Sequence, residues 1–153
     1  MAEFSYNPVQ AVALNQGAIF NTSIRCPKGY VLHDEETGVL TLRGAVNNPC
    51  GTFARYQVTA NCNIAIPEGG TAGPIAVALT LRGEPKPTSR AIVTPAAVDE
   101  YFNVTSTMFV TVPAGCCVDV SFRNVSPFNE GDTGTPAPTI NVQNLNVVVT
   151  RVA

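Results

Sequence analysis

The sequence FARYQVTANCNIAIP, residues 53–67, alternates between apolar and polar side chains over almost its whole length. The apolar set would face one side of an extended chain, and it consists of Ala54, Tyr56, Val58, Ala60, Cys62, Ile64 and Ile66. The polar set would face the other side, and it consists of Arg55, Gln57, Thr59, Asn61 and Asn63. A period of two residues indicates a β-strand with one buried face, so residues 53–67 predict a long half-buried strand.

The segments around this strand extend the same pattern. Residues 67–74, PEGGTAGP, have the composition of a turn, and residues 75–83, IAVALTLRG, alternate again. We expect residues 53–67 and 75–83 to pair as neighbouring antiparallel strands. Residues 84–95 predict a short edge strand because prolines flank it. Residues 94–101, TPAAVDEY, are the one place where a helical turn is expected.

The C-terminal half predicts three more strands. Residues 101–113 alternate, and residues 116–124, CCVDVSFRN, place Cys116, Val118, Val120 and Phe122 on the inner face. Residues 139–153 form the last strand, whose alternation changes phase near Asn144 as it would at a β-bulge.

The whole composition favours an all-β protein. The 153 residues include 12 glycines and 12 prolines, which suit frequent turns between strands rich in valine and threonine. About 8–10 strands without a helix predict an antiparallel β-sandwich, and the long final strands favour a jelly roll. We expect a jelly-roll domain over residues 21–153, preceded by an N-terminal segment, residues 1–20, that serves in attachment or in contact between subunits.

Charge and hydropathy exclude some classes of binding partner. Only 13% of the residues are charged and the net charge is −2, which argues against nucleic acid because no basic stripe is present. A surface so poor in charge indicates contact with other subunits. Neither a signal sequence nor a membrane-spanning run is visible, so we expect synthesis in a cytoplasm and no membrane partner.

Four quoted stretches carry a resemblance to known proteins. These are VPAGCCVDVSFRNVS, INVQNLNVVVTRVA, IAIPEGGTAGPIAVALTLRGEP and VTPAAVDEYFNV. They resemble small virion proteins encoded by phages and prophages of gut Firmicutes. The chain is also similar to the trimeric TNF/C1q-like jelly rolls that end collagen-like spore-surface proteins, although it lacks a Gly-X-Y stalk. The resemblance implies a homotrimer on a phage particle, without a catalytic centre or a cofactor.

The cysteines show no metal-ligand spacing. Zinc sites need paired ligands in two clusters, and none of Cys26, Cys50, Cys62, Cys116 and Cys117 fits that pattern. Cys26 and Cys50 lie in turn-rich segments that flank the same predicted strands, so a disulfide between them is possible. A cytoplasmic origin favours free thiols, whereas a particle released from the cell would permit the bridge. Cys117 is predicted to face outward, where it could contact a neighbouring subunit.

Catalytic signatures are missing from the sequence. His33, the only histidine, lies beside three acidic residues and is expected to be a solvated loop residue. No serine elbow or phosphate-binding loop occurs. The acidic groups at residues 34–36 and at Glu130 and Asp132 do not match an EF-hand, so surface acids are the simpler interpretation. We expect no enzyme and no metal site.

Two functions remain. The first is a homotrimeric structural protein of a phage particle, which decorates the capsid or forms a head fibre, so its partners are copies of itself and other virion proteins. The second is a carbohydrate- or receptor-binding module, such as a fibre tip that binds surface glycans. Against the second, tryptophan is absent and the four tyrosines are scattered, at Tyr6, Tyr30, Tyr56 and Tyr101.

Overall fold

The structure is a computed structural model that describes residues 1–25, 29–44, 51–128 and 137–153. Its described residues form an antiparallel sandwich of two sheets, which confirms the all-β prediction. The strands are β1 (Ala2–Tyr6), β2 (Gln10–Val12), β3 (Thr22–Arg25), β4 (Val31–His33), β5 (Leu40–Arg43), β6 (Phe53–Ala65), β7 (Ile75–Leu81), β8 (Glu84–Pro85), β9 (Ala91–Val93), β10 (Phe102–Pro113), β11 (Cys117–Asn124) and β12 (Ile140–Arg151).

Within the described residues, each sheet has six strands. The first sheet has the order β10-β6-β12-β1-β3, and β2 also pairs with β12. The second sheet has the order β4-β5-β11-β7-β8, and β9 also pairs with β7. Strands that follow one another along the chain therefore often belong to opposite sheets, as in a jelly roll.

The expected pairing of residues 53–67 with residues 75–83 is wrong. β6 lies between β10 and β12 in the first sheet, whereas β7 pairs with β11 in the second. The turn-forming residues between them carry the chain across the sandwich instead of reversing it within one sheet. Alternation shows which face of a strand is buried, but it does not identify the neighbouring strand.

The core lies between the two sheets and is filled by the predicted inner faces. Leu40, Val58, Ile64, Phe122 and Leu145 are all almost completely buried. Burial of a side chain of this size contributes about 1.5–3 kcal/mol to folding, which makes this layer the main source of stability. Tyr56 is buried as well, and its hydroxyl donates a hydrogen bond to the backbone carbonyl of Arg43 in the opposite sheet.

The predicted bulge in the last strand is confirmed. The register between β12 and β6 shifts between Gln143 and Asn146, and Asn144 has a positive φ of 53°. The extra residue restores the burial of Leu145, Val147 and Val149 after the shift.

Residues 1–20 are built into the sandwich. β1 and β2 both pair with β12, and Phe4 and Phe20 are buried in the shared core. This segment and residues 21–153 therefore pack as one body. Its role in attachment or in contact between subunits stays a prediction.

The proline-rich segment lies at an edge, as its sequence predicts. β8 and β9 both pair with β7 and form the outer edge of the second sheet. The helical turn, however, lies at Pro87–Ser89, as a single 3-10 turn, and not within residues 94–101. Pro87 fits there because the first position of a helical turn needs no backbone donor.

Candidate functional site

The outward face of β6, β10 and β12 is formed by three long neighbouring strands of the first sheet. Its side chains alternate with the buried core residues of the same strands. The face consists of Phe53, Arg55, Gln57, Thr59, Asn61, Asn63, Asn103, Thr105, Thr107, Phe109, Thr111, Pro113, Asn141, Gln143, Asn144, Asn146, Val148 and Thr150. Arg55 is the one charged residue in this set, although the Glu3 carboxylate of the neighbouring β1 accepts a hydrogen bond from Asn146 at its border. Roughly a quarter to a third of an ordinary surface is charged. We call these residues the neutral face.

Hydrogen bonds between side chains order the centre of the neutral face. The Asn61 amide donates to the Asn103 side-chain oxygen at 3.0 Å and to the Thr105 hydroxyl at 2.7 Å. The Thr59 and Thr107 hydroxyls lie 3.0 Å apart across the same two strands. Side chains held in this way lose little further freedom when another surface covers them, which favours their use in binding.

Exposed aromatic rings mark one end of the neutral face. Phe109 is 56% exposed and Phe53 is 48% exposed, although both are large apolar side chains. The Arg55 guanidinium lies 5.2 Å from the centre of the Phe109 ring, in a cation–π contact. Exposed apolar rings beside an uncharged polar surface are typical of a subunit contact.

The cysteines fall into three environments. Cys62 is fully buried, and desolvation raises the pKa of its thiol to about 12. The thiol therefore stays protonated and unreactive, as part of the core. Cys117 begins β11 and is exposed on the second sheet opposite Arg43, away from the neutral face. The contact between subunits predicted at Cys117 stays a prediction. Cys26 and Cys50 lie outside the described residues, so their disulfide also stays a prediction.

Cys116 was expected on the inner face of its strand, and that prediction is wrong. Cys116 is exposed because it belongs to the turn between β10 and β11, where its backbone N–H donates to the Pro113 carbonyl. The strand begins one residue later, at Cys117. The alternation is therefore in phase from Val118 onward but does not extend back into the turn.

His33 is not the solvated loop residue that its acidic neighbours suggest. It ends β4, its ring stacks on Phe20 at a centroid distance of 4.9 Å, and it makes a tilted contact with the Phe4 ring at 4.5 Å. Desolvation lowers the pKa of His33 below its usual 6.5, against smaller raising effects from Glu35, the Phe20 backbone and Asp34. Its Nε2 atom is buried and has no hydrogen-bond partner among the described residues.

A pH effect on stability follows from this packing. The folded state favours neutral His33, so the unfolded chain binds more protons once the pH falls below 6.5. We expect the free energy of unfolding to fall between about pH 7 and pH 5. Urea unfolding across this range measures the loss, and His33→Phe should remove most of the slope. A slope unchanged in that variant would contradict the assignment to His33.

The tyrosines do not form a common platform. Tyr56 is buried, and burial raises the pKa of its hydroxyl. Tyr30 is 39% exposed, and the Arg151 guanidinium lies 4.7 Å from its ring centre in a cation–π contact. Tyr6 and Tyr101 lie in different parts of the first sheet, at the end of β1 and just before β10.

A cavity of about 400 Å³ opens at one end of the sandwich. It lies between the β6–β7 connection, which includes Glu68, and the half-buried ring of Phe128. Its apolar walls and the Glu68 carboxylate could hold a small polar ligand.

The described residues contain neither a cluster of metal-ligand residues nor a membrane-spanning helix. No group of three or more histidine, cysteine or acidic residues there could hold a metal ion. Glu130 and Asp132 lie outside that part of the chain. No helix in the part that the structure describes is long and apolar enough to cross a membrane.

Solved structures share the architecture of this chain. Eiger TNF from S. frugiperda has a TM-score of 0.62 and 11% identity, over 99% of this chain and 91% of that one. The globular domain of zebrafish complement 1qA protein has a TM-score of 0.45 and 11% identity, over 96% and 94%. The EclA C-terminal domain, titled a sugar-binding protein, has a TM-score of 0.43 and 15% identity, over 94% and 80%.

The likeness to Eiger TNF defines the class of fold. The similarity to Eiger TNF shows that this chain is an all-β jelly roll of the TNF type. No protein-family model and no curated protein matches the sequence. At 11% identity the likeness concerns the fold alone, and function must be argued from the surface of this chain.

Proposed function

We propose that this protein is a non-enzymatic structural subunit that assembles into a homotrimer through its neutral face. The observation that carries the proposal is the width of that face, which spans three long strands and has Arg55 as its one charged residue. The sequence resemblance to trimeric jelly rolls supports three copies rather than two.

The chemistry of the neutral face suits contact between identical copies. Burying a charge without a partner is costly, whereas threonine and asparagine can exchange hydrogen bonds with water for bonds with a neighbouring subunit. Phe53 and Phe109 add apolar area, because each leaves about half of its ring exposed in the single chain. Such a mixture is typical of a specific but partly hydrated interface.

A charge placed in the centre of this face should prevent assembly. Thr107 is exposed on β10 and contacts Thr59. We expect Thr107→Glu to change the main species from three times the 16.1 kDa chain mass to a single chain, because burial would desolvate one carboxylate per subunit. Mass photometry or sedimentation velocity measures the change.

Matched variants separate assembly from folding. Thr107→Ser keeps the hydroxyl and should stay trimeric, and Thr88→Glu places the same charge on an exposed threonine at the edge of the second sheet. A wild-type chain that remains monomeric at micromolar concentration would end the proposal, as would a trimeric Thr107→Glu.

We further propose that the trimer belongs to a phage particle, as a capsid decoration or a head fibre. The support is the sequence resemblance to phage-encoded virion proteins, together with a surface chemistry in which few side chains are charged. Cryo-electron microscopy of purified particles tests this proposal. Density for a three-fold jelly-roll cluster on the head is the expected result, and particles that lack the protein by mass spectrometry would contradict it.

Glycan binding is the second candidate function. The cavity between Glu68 and Phe128 favours it, because sugar sites commonly combine an aromatic ring with an acidic side chain. A glycan array is the test, with Phe128→Ala as the comparison. A specific hit that Phe128→Ala loses would support this function, and an array without hits would count against it.

A further inference from the structure

A depression of about 340 Å³ lies on the outer side of the second sheet, away from the neutral face. Its floor is β11, and its rim is the tight turn between β7 and β8. It is lined by Val39, Arg82, Gly83, Asp119, Val120, Ser121 and Arg123. Two arginines therefore line one concavity of a chain that has nine lysine and arginine residues in all.

The turn holds Arg82 in an uncommon backbone conformation. Arg82 has a φ of 52° and Gly83 a φ of 84°, which is the geometry of a two-residue hairpin turn that favours Asn-Gly. A left-handed conformation costs an ordinary residue roughly 1 kcal/mol. The Arg82 backbone N–H donates to the Asp119 carbonyl at 2.8 Å, which ties the turn to β11. The turn and this hydrogen bond therefore hold the backbone of Arg82 beside β11.

Arg123 is positioned by the walls of the depression. Its Nε atom donates to the Ser121 hydroxyl at 3.2 Å, and its Nη1 atom donates to the Gly83 carbonyl at 3.4 Å. A guanidinium has five N–H donors, so three remain for a ligand. A cation held in place by neutral acceptors loses little entropy when it binds an anion.

The charges in the depression are not neutralised in pairs. Neither Arg82 nor Arg123 forms an ion pair with a carboxylate within the described ranges. Asp119 lines the same depression, but its Oδ1 atom accepts a hydrogen bond from the Thr41 hydroxyl at 2.7 Å. Its second oxygen is left to accept hydrogen bonds. The depression thus offers two cationic donors and one acidic acceptor.

We propose that this depression binds an anionic, hydroxyl-rich ligand, such as an acidic sugar or a polyol phosphate. The two guanidinium groups would hold the carboxylate or phosphate oxygens, and Asp119 would accept a hydrogen bond from a neighbouring hydroxyl. Planar guanidinium groups suit oxyanions because they donate two parallel hydrogen bonds. The site does not depend on the trimer, because it lies on the sheet opposite the neutral face.

Titration of the intact protein with small probes tests the site. The probes are glucuronate for a carboxylate, glycerol phosphate for a phosphate and glucose as the neutral control, followed by NMR shifts of backbone amides. We expect one of the anionic probes to bind with a dissociation constant of about 1 mM or below, with shifts at Gly83 and Ser121. The probe that binds more tightly shows whether the natural ligand carries a carboxylate or a phosphate. Added salt should weaken the binding.

Arg82→Gly is the decisive variant because it removes the cation without stressing the fold. Glycine adopts a positive φ readily, so thermal stability should stay the same or rise. We expect affinity for the anion to fall by about tenfold or more, whereas Arg55→Gln on the other sheet should keep it. Equal binding by Arg82→Gly, equal binding of glucose, no binding of either anion or shifts confined to other regions would each overturn the proposal.

Discussion

Gly38→Ala should destabilise the folded protein by about 2–5 kcal/mol. Gly38 follows the turn after β4, has a φ of 68° and is buried against the N-terminal segment. A Cβ atom there would lie 2.2 Å from the carbonyl oxygen of Ala18, so backbone would have to move. The left-handed conformation adds a further cost for alanine. Urea unfolding measures the difference.

Gly115→Ala separates the two causes of this loss. Gly115 has a similar φ of 76°, but an added Cβ would meet nothing within 4 Å among the described residues. Its cost should be the conformational part alone, about 1 kcal/mol. Equal losses in the two variants would show that the contact between Gly38 and Ala18 is looser than the structure has it.

Asn124→Ala should cost about 3–5 kcal/mol, because the side chain is the centre of a buried hydrogen-bond network. Asn124 is 1% exposed, and its amide donates to the carbonyls of Val12 and Pro138, each at 2.9 Å. Its oxygen accepts from the backbone and the hydroxyl of Ser126, at 3.0 and 2.6 Å. Alanine would leave these groups buried without partners. The measurement is the shift in the midpoint of urea unfolding, compared between proteins whose unfolding free energy depends on urea concentration with the same slope.

Two further variants define the role of this amide. Asn124→Asp cannot donate to either carbonyl when ionised, so it should be strongly destabilised at neutral pH. It should recover in part as the pH falls, because a protonated carboxyl donates one bond and the folded state then favours the proton. Asn21→Ala, at an exposed asparagine, should change stability by less than about 0.5 kcal/mol. A loss at Asn21 equal to that at Asn124 would contradict the network.

The sequence alone predicts which polar side chains of β6 face outward at the candidate site. The polar residues Gln57, Thr59 and Asn61 were expected outward from their spacing, and the structure places them there. The neutral face as a whole was not predictable, because it requires β10 and β12 to lie on either side of β6. Likewise, nothing in the sequence around Arg82 indicates Arg123 as its neighbour, since 41 positions along the chain separate residues that the β7–β11 pairing brings together.

His33 and Cys116 show how local patterns fail. The acidic neighbours of His33 suggested solvent, but the ring packs on Phe4 and Phe20, which come from a distant part of the chain. Cys116 was assigned by extending a period of two into a turn, where that period no longer holds. The environment of His33 depends on contacts with the N-terminal segment, whereas that of Cys116 depends on a local turn.

The sequence by itself determined the all-β class, the buried faces of the long strands and the bulge at Asn144, because the alternation of side chains along a strand is a local property. Only the tertiary structure decided that β6 and β7 separate into different sheets, that three strands share one neutral face and that Arg82 and Arg123 line one depression. Those relations depend on pairing between strands far apart in the chain. Alternation leaves such pairing open, because any strand with the same buried face satisfies it.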